Sequence, residues 1–331
     1  MLKWSIREIE LNLKVPWAIS RSVCDKKTNL IVKVGKDKLY GEGEVAFNAR
    51  YDESKEEIYK GFERFVEVCG SIDSLENLIN VSLGIDIPAS LRFGIESAFV
   101  HYLAVLSGKS VHQLLGVNRV NSVETSYSIP IMEIGKIESY LVDNDLGRFS
   151  SLKIKVDTDN CVDAVTELRR VYEGKIRVDA NEAWKDPELV LRACEKISVS
   201  NIDFLEQPMP ALAHEEYLHL KRHIKMRVFA DESLTSQDIN DYYLERFDGV
   251  NIKLMKAGGY MRALQQIKRA RDIGLKTMVG CMIETSLGIS SAINIGFAVD
   301  YFDLDGSLLI DNDPYGYIIE ERGRLLYSHL L

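Results

Sequence analysis

The chain has 331 residues, 46% hydrophobic and 27% charged, enough apolar material for one large globular domain or two ordinary ones. Its 41 basic and 50 acidic residues leave a net charge of −9, which excludes a nucleic-acid binder, because phosphate backbones need a basic face. No run approaches the roughly 18 uninterrupted apolar residues of a membrane helix. The N-terminal residues carry charge where a signal peptide needs an apolar stretch. Cys24, Cys69, Cys161, Cys194 and Cys281 are scattered without a CxxC pair, so a cytoplasmic protein with reduced thiols is expected.

The first third reads as an α+β module of about 120 residues. Residues 2–13 and 30–34 alternate apolar and polar, as antiparallel strands do, and helical periodicity follows over 53–69, 72–81 and 90–106. From Ser122 onward short apolar runs alternate with amphipathic stretches. The runs lie at 124–129, 152–156, 176–179, 202–205, 228–230, 250–253, 277–279 and 302–304, and suit parallel strands covered on both faces. Stretches such as 161–172, 188–197 and 260–273 supply crossover helices. This pattern predicts a (β/α)-type barrel, with reactive groups at the C-terminal ends of its strands. The rival is an open dinucleotide-binding sheet. Gly41-Glu42-Gly43-Glu44-Val45-Ala46 imitates its glycine-rich turn, but no helical pattern follows. Residues 315–329 read as a hairpin around Glu321-Arg322-Gly323.

Polar residues at the strand ends locate the chemistry. In Leu152-Lys153-Ile154-Lys155-Val156 the two lysines share one side of the strand. Inside a barrel they need a compensating negative centre; on a solvent-facing edge strand they would need none. The next three strands end in Val178-Asp179-Ala180-Asn181, Leu205-Glu206-Gln207-Pro208 and Ala230-Asp231-Glu232-Ser233. A lone acid at such a place commonly caps a helix. Three in register beside two inward lysines make a hard oxygen site of the kind that suits Mg²⁺. Strand six ends in Asn251-Ile252-Lys253, and strands two and six of an eight-stranded barrel face each other, so Lys155 and Lys253 would flank whatever binds at the acids.

Taken together, Lys153-x-Lys155, Asp179-Ala-Asn181, Glu206-Gln-Pro208, Asp231-Glu232-Ser233 and Asn251-Ile-Lys253 resemble the muconate-lactonizing subgroup of the enolase superfamily over nearly the whole chain. The resemblance implies an α/β fold: a (β/α)7β TIM-like barrel with an N-terminal α+β capping domain. The expected bounds are 1–121 for the capping domain, 122–310 for the barrel, and 311–331 for a C-terminal segment returning to the capping domain. It also implies Mg²⁺ held by Asp179, Glu206 and Asp231, with Lys155 and Lys253 as the acid/base pair and Lys153 as electrostatic helper. Asn181 and Glu232 would support the ligands from behind. Lys256, in the loop after strand six, competes with Lys253 for its role.

Within the subgroup, Asp303-Leu304-Asp305 is similar to the Asp-x-Asp of dipeptide epimerases, where the pair would meet a substrate ammonium, and Met282-Ile283-Glu284-Thr285-Ser286 also resembles those enzymes. The implied activity is Mg²⁺-dependent inversion of the C-terminal residue's α-carbon in a dipeptide, by two-base 1,1-proton transfer through an enediolate. The alternatives are an o-succinylbenzoate synthase, an N-acylamino-acid racemase, a cycloisomerase, or a non-catalytic metal- or ligand-binding homologue; retention of both lysines opposes the last. A sugar-acid dehydratase would use a histidine base after a late strand, and strand seven ends Val279-Gly280-Cys281. Side-chain specificity is expected from loops at 16–27 and 46–52, with Arg21 as the substrate-binding candidate. Counted from Pro16 it stands one position early, with Ser22 in the expected place. The expected partner is a small molecule, neither nucleic acid nor membrane, with a homo-oligomer left open. His214-Glu215-Glu216-Tyr217-Leu218-His219 imitates a zinc-protease helix, but its i, i+5 spacing puts the two rings on different faces.

Overall fold

The computed structural model describes residues 2–328 apart from 71, 199 and 200. The N-terminal part is built on an antiparallel sheet of β1 (Lys3–Ile19), β2 (Ser22–Lys36) and β3 (Leu39–Val45), in that order. β1 and β2 pair from Lys3 opposite Gly35 to Ile19 opposite Ser22, with a shift between Asn12 and Trp17. Pro16 lies in that shift, where its missing N–H costs no ladder bond. The hairpin therefore continues through residues that the sequence suggests are an open loop, and it carries Ser20 and Arg21 at its tip. The Gly41–Val45 stretch that imitates a phosphate-binding turn lies inside β3.

Helices α1 (Lys55–Val68), α2 (Leu75–Leu83), α3 (Ala89–Ser107) and α4 (Val111–Leu115) follow. α1 begins with a capping box of Ser54 and Glu57. α3 has apolar residues on more than one face because it is covered on two sides. Leu91, Ile95, Ala98 and Phe99 join Leu30, Val32 and Val45 in the capping-domain core, whereas Phe93 and Val100 enter the core of the barrel.

The run at 124–129 is not one strand. It divides into β4 (Ser122–Glu124) and β5 (Tyr127–Ile129), because the chain changes partners at Thr125 and Ser126. The barrel continues with α5 (Ile137–Asp143), β6 (Ser151–Lys155), α6 (Cys161–Val171), β7 (Lys175–Asp179), α7 (Pro187–Ile197), β8 (Ile202–Glu206), α8 (His214–His223) and β9 (Val228–Ala230). After these come α9 (Asp241–Arg246), β10 (Gly249–Lys253), α10 (Leu254–Ala257), α11 (Tyr260–Asp272), β11 (Lys276–Gly280), α12 (Ser286–Asn294) and β12 (Tyr301–Asp303). Strands β5 to β12 form one eight-stranded parallel sheet in chain order. The Ser126 N–H donates to the Phe302 carbonyl at 3.3 Å and the Leu304 N–H to the Thr125 hydroxyl at 2.8 Å, which brings the last strand back to the first. The result is a nearly closed TIM-like barrel. Phe204, Phe229, Met278 and Tyr301 fill its N-terminal end, with the two phenylalanine rings stacked at 4.1 Å.

A hairpin of β13 (Ile318–Glu321) and β14 (Arg324–Tyr327) pairs through β14 with β4. The segment before it reaches the capping sheet: the Lys14 N–H donates to Leu309 and the Asp311 N–H to Asn12. His329, at the end of the hairpin suggested by sequence, lies outside the described residues. Among the described residues no helix is long and apolar enough to cross a membrane.

Two capping-domain carboxyl groups enter the N-termini of barrel helices, where unpaired N–H groups favour an acceptor. Glu44 of β3 accepts from the Thr285 hydroxyl at 2.6 Å and from the Gly288 N–H at 3.2 Å, at the start of α12. Glu96 of α3 accepts from the Met261 N–H at 3.1 Å, at the start of α11. Gly259, at φ 152°, makes room for it: a Cβ there would stand 2.0 Å from Glu96 Oε2. Burial pushes the Glu96 carboxyl up to about 7. A raised carboxyl favours folding below its unfolded value near 4.5 and loses that contribution as pH climbs through about 7. Glu96→Gln should therefore gain thermal stability relative to the wild type on going from pH 5 to pH 8, by a few degrees; equal midpoint differences at both pH values would show that Glu96 does not titrate there.

Candidate active site

The register of the strands sets the site. Lys155, Asp179 and Glu206 are partners across β6, β7 and β8, and Lys253, Gly280 and Asp303 are partners across β10, β11 and β12. Partners in parallel strands share a face, so both rows open into the barrel mouth. Four steps around the eight-stranded sheet separate β6 from β10, which puts Lys155 and Lys253 on opposite walls.

Lys153, 1% exposed, stands in the middle of the acids. Its Nζ lies 2.8 Å from Asp179 Oδ2, 2.9 Å from Glu206 Oε2 and 2.7 Å from Asp303 Oδ2. Burial alone would strip its proton, but Asp179, Asp303 and Glu206 outweigh burial and hold the ammonium well above the usual lysine range. Lys155 donates to Asp179 Oδ2 at 2.5 Å and Lys253 to Asp231 Oδ2 at 2.9 Å. Lys256 donates to Asp231 Oδ1 at 2.6 Å, to the Asp231 carbonyl and to the Asn251 carbonyl. Burial opposes the ionisation of Asp179 and Asp231, yet the adjacent lysines hold both below the usual carboxylate range. Glu206 receives less of that charge: burial and neighbouring Asp179 push it up to about 7.

Asp179, Glu206 and Asp231 thus end up in one buried wall, but each stands on a lysine. Among the described residues no three His, Cys, Asp or Glu side chains are grouped closely enough to hold a metal ion as they stand. The donor set nevertheless fits a hard divalent cation. It supplies three buried carboxylates, and Glu206 Oε2, though 2.9 Å from an ammonium, has no hydrogen bond of good geometry. Six buried acids (Asp179, Glu206, Asp231, Glu232, Asp303, Asp305) face four buried lysines (Lys153, Lys155, Lys253, Lys256), with Arg21 as a further cation on Glu232.

Asn251, in the motif that ends strand six, supports an acid. Its Nδ2 donates to Glu206 Oε1 at 2.8 Å, and it lies over Gly280, where a Cβ would stand 2.4 Å from Asn251 Oδ1. Asn181 Nδ2 donates to Glu232 Oε1 at 3.2 Å, behind Asp231. Arg21, from the hairpin tip, donates to Glu232 Oε1 and Glu182 Oε2 at 2.9 Å each and to the Asn181 carbonyl at 2.7 Å. Its charge is engaged by acids of the barrel. Asp303 accepts from Ser126 at 2.8 Å as well as from Lys153, and Asp305 accepts from the Ser128 N–H at 2.6 Å. Burial and Asp303 push Asp305 up to about 6. His214 and His219 turn to different neighbours, Tyr242 and Glu188.

Residues 139–315 match the enolase C-terminal domain-like family. An L-Ala-D/L-amino acid epimerase of Pedosphaera parvula is 33% identical over 96% of this chain and 94% of its own length. A protein of the same name from Flavobacterium johnsoniae is 30% identical over 99% and 98%. Among solved structures, an enolase family member from Agrobacterium tumefaciens with homology to dipeptide epimerases, holding sodium and L-Ala-L-Glu, is 26% identical with a TM-score of 0.89 over 100% of this chain and 99% of that one. The chain belongs to the enolase C-terminal domain-like family and is an isomerase of the racemase and epimerase type.

Proposed function

We propose that this isomerase is a Mg²⁺-dependent dipeptide epimerase that inverts the α-carbon of the C-terminal residue. The observation that carries the reading is the pair Lys155 and Lys253 on opposite walls of one acidic mouth. The names of the full-length Pedosphaera and Flavobacterium relatives support a dipeptide as the substrate.

Removing a proton beside a carboxylate leaves two negative charges close together. One ammonium at about 4 Å contributes roughly 4 kcal/mol at an effective dielectric of about 20, too little alone. Lys153, kept ionised by three acids, is a fixed positive group next to the developing charge. Asp179, Glu206 and Asp231 would hold Mg²⁺, with Asn251 orienting Glu206 and Lys256 orienting Asp231. When bound, the ion would supply Lewis-acid stabilisation of the substrate carboxylate. Lys253, charged through Asp231, is poised to deliver a proton to one face while Lys155 serves the other; the roles exchange with the direction of reaction. β8 and β12 are four strands apart, so a dipeptide whose carboxylate met an ion held by Glu206 would extend its ammonium across the mouth toward Asp305. Asp303 already answers Lys153, which leaves Asp305 as the acid for that ammonium.

Magnesium binding is measurable by calorimetry without substrate. Asp231→Asn should weaken it about tenfold or more, and undiminished affinity would remove Asp231 from the ligand set. The lysines are tested by following α-deuterium exchange in D₂O from each epimer of an alanyl dipeptide with Lys155→Ala and Lys253→Ala. Each variant should keep exchange from one epimer only, and equal losses from both epimers in both variants would contradict the two-faced arrangement.

A further inference from the structure

Two segments of the capping domain, far apart in sequence, meet on one barrel residue. From the β1–β2 tip, Arg21 donates to Glu182 Oε2 at 2.9 Å, and both Ser20 and Arg21 donate to the carbonyl of the preceding Asn181. From the short turn at Ala49–Tyr51, Arg50 grips the same carboxylate with two bonds of 2.6 Å, Nε to Oε2 and NH2 to Oε1. The Ala211 N–H, from the loop after β8, donates to Glu182 Oε1 at 2.8 Å. Burial would favour the neutral acid, but Arg50, the Ala211 N–H and Arg21 outweigh it and hold Glu182 below the usual carboxylate range.

The barrel presents this carboxylate at a backbone cost. Asn181 and Glu182 are consecutive non-glycine residues at φ 43° and 68°, in the left-handed region that side chains disfavour. Backbone bonds from Glu182 to the Gln207 carbonyl at 2.8 Å and from Trp184 to the Pro208 carbonyl at 3.0 Å hold the turn in place. Arg21 also reaches Glu232 at the barrel mouth, where Lys155 and Lys253 are only 9% and 8% exposed.

We propose that Glu182 is the latch on which the two capping-domain segments close over the bound substrate, a positioning residue that acts through Arg21 and Arg50 and does not touch the reacting atoms. The kinetic part of its test rests on the epimerase reading; the structural part does not.

The experiment uses the full chain carrying Glu182→Gln, which keeps the size of the side chain and removes its charge. Amide hydrogen exchange of the substrate-free protein is followed at residues 17–27 and 47–53. Exchange in both segments should quicken about tenfold while strands β6 to β8 keep their protection. Unchanged exchange in either segment would overturn the proposal, whatever the substrate proves to be. On an alanyl dipeptide that the wild type epimerises, the Michaelis constant should rise about tenfold with kcat within about threefold. A fall in kcat at constant Michaelis constant would place Glu182 in the chemistry and also overturn it. If no dipeptide is turned over, the epimerase reading fails and the exchange data still decide the latch. Should Glu182→Gln not fold, Arg50→Gln changes a side chain that is one-third exposed and should loosen the same two segments; unchanged exchange there would count equally against the latch.

Discussion

Lys153 is the interaction on which the mouth of the barrel depends. One ammonium, reaching from β6, lies within 3 Å of acids from β7, β8 and β12, so it ties together strands on both sides of the sheet. Carboxylates taken out of water repel one another and are costly to hold ionised without partners. Lys153 keeps Asp179 and Asp303 charged in spite of their burial, and this concentrates negative charge where a divalent cation and a substrate ammonium would come. A barrel with an apolar side chain at this position would have to protonate or expel those acids. The same economy of donors explains Gly280: the space left by its missing side chain lets Asn251 lie across the barrel and satisfy one oxygen of Glu206, which among the described residues has no other donor of good geometry.

The capping domain is held against this mouth by the polar ends of helices. Glu44 and Glu96 belong to the first domain but complete the N-termini of α12 and α11, so the unpaired N–H groups of two barrel helices are satisfied only when the domains are docked. Each contact is short-range and directional, and together with Phe93 and Val100 in the barrel core they hold the sheet of β1, β2 and β3 in one orientation. That orientation carries the far end of the β1–β2 hairpin to the barrel. There Glu182 and Glu232, in the loops after β7 and β9, meet its arginine.

Much of this was legible in the sequence because a barrel strand is intolerant of polar residues. One acid at the end of an apolar run can cap a helix, but Asp179, Glu206 and Asp231 in register beside the inward Lys153 and Lys155, with Lys253 opposite, have no such structural excuse. Features that depend on a partner far away in the chain were not legible. The run at 124–129 has uniform strand character, yet it divides because its first half pairs with β14, about two hundred residues later, and its second half with β6. Residues 16–27 look like a loop because Pro16 interrupts the alternation, whereas the pairing steps around the proline with a shifted register. Glu182 follows Asp179-Ala-Asn181 without any periodicity to mark it, and its partner Arg50 lies in a different domain. Sequence position offers Arg21 as a candidate for binding substrate, but the acids that engage it, Glu182 and Glu232, lie far along the chain and leave no mark in its own surroundings.

Counting donors separates the four buried lysines. An ammonium carries three N–H groups. Lys256 directs them at the Asp231 carbonyl, Asp231 Oδ1 and the Asn251 carbonyl, and Lys153 has three carboxylate oxygens around it. Neither has a donor to spare, and displacing either would leave buried acceptors unsatisfied, which costs about 1–3 kcal/mol per group. Lys155 and Lys253 each have a single acceptor among the described residues, Asp179 and Asp231 respectively, and both are slightly more exposed than the saturated pair. A lysine that must release a proton in one direction and accept one in the other cannot also be locked on all sides. By that criterion Lys253 suits the role that the proposed mechanism asks of it better than Lys256 does. The two lysines with donors to spare are the two that face each other across the acids.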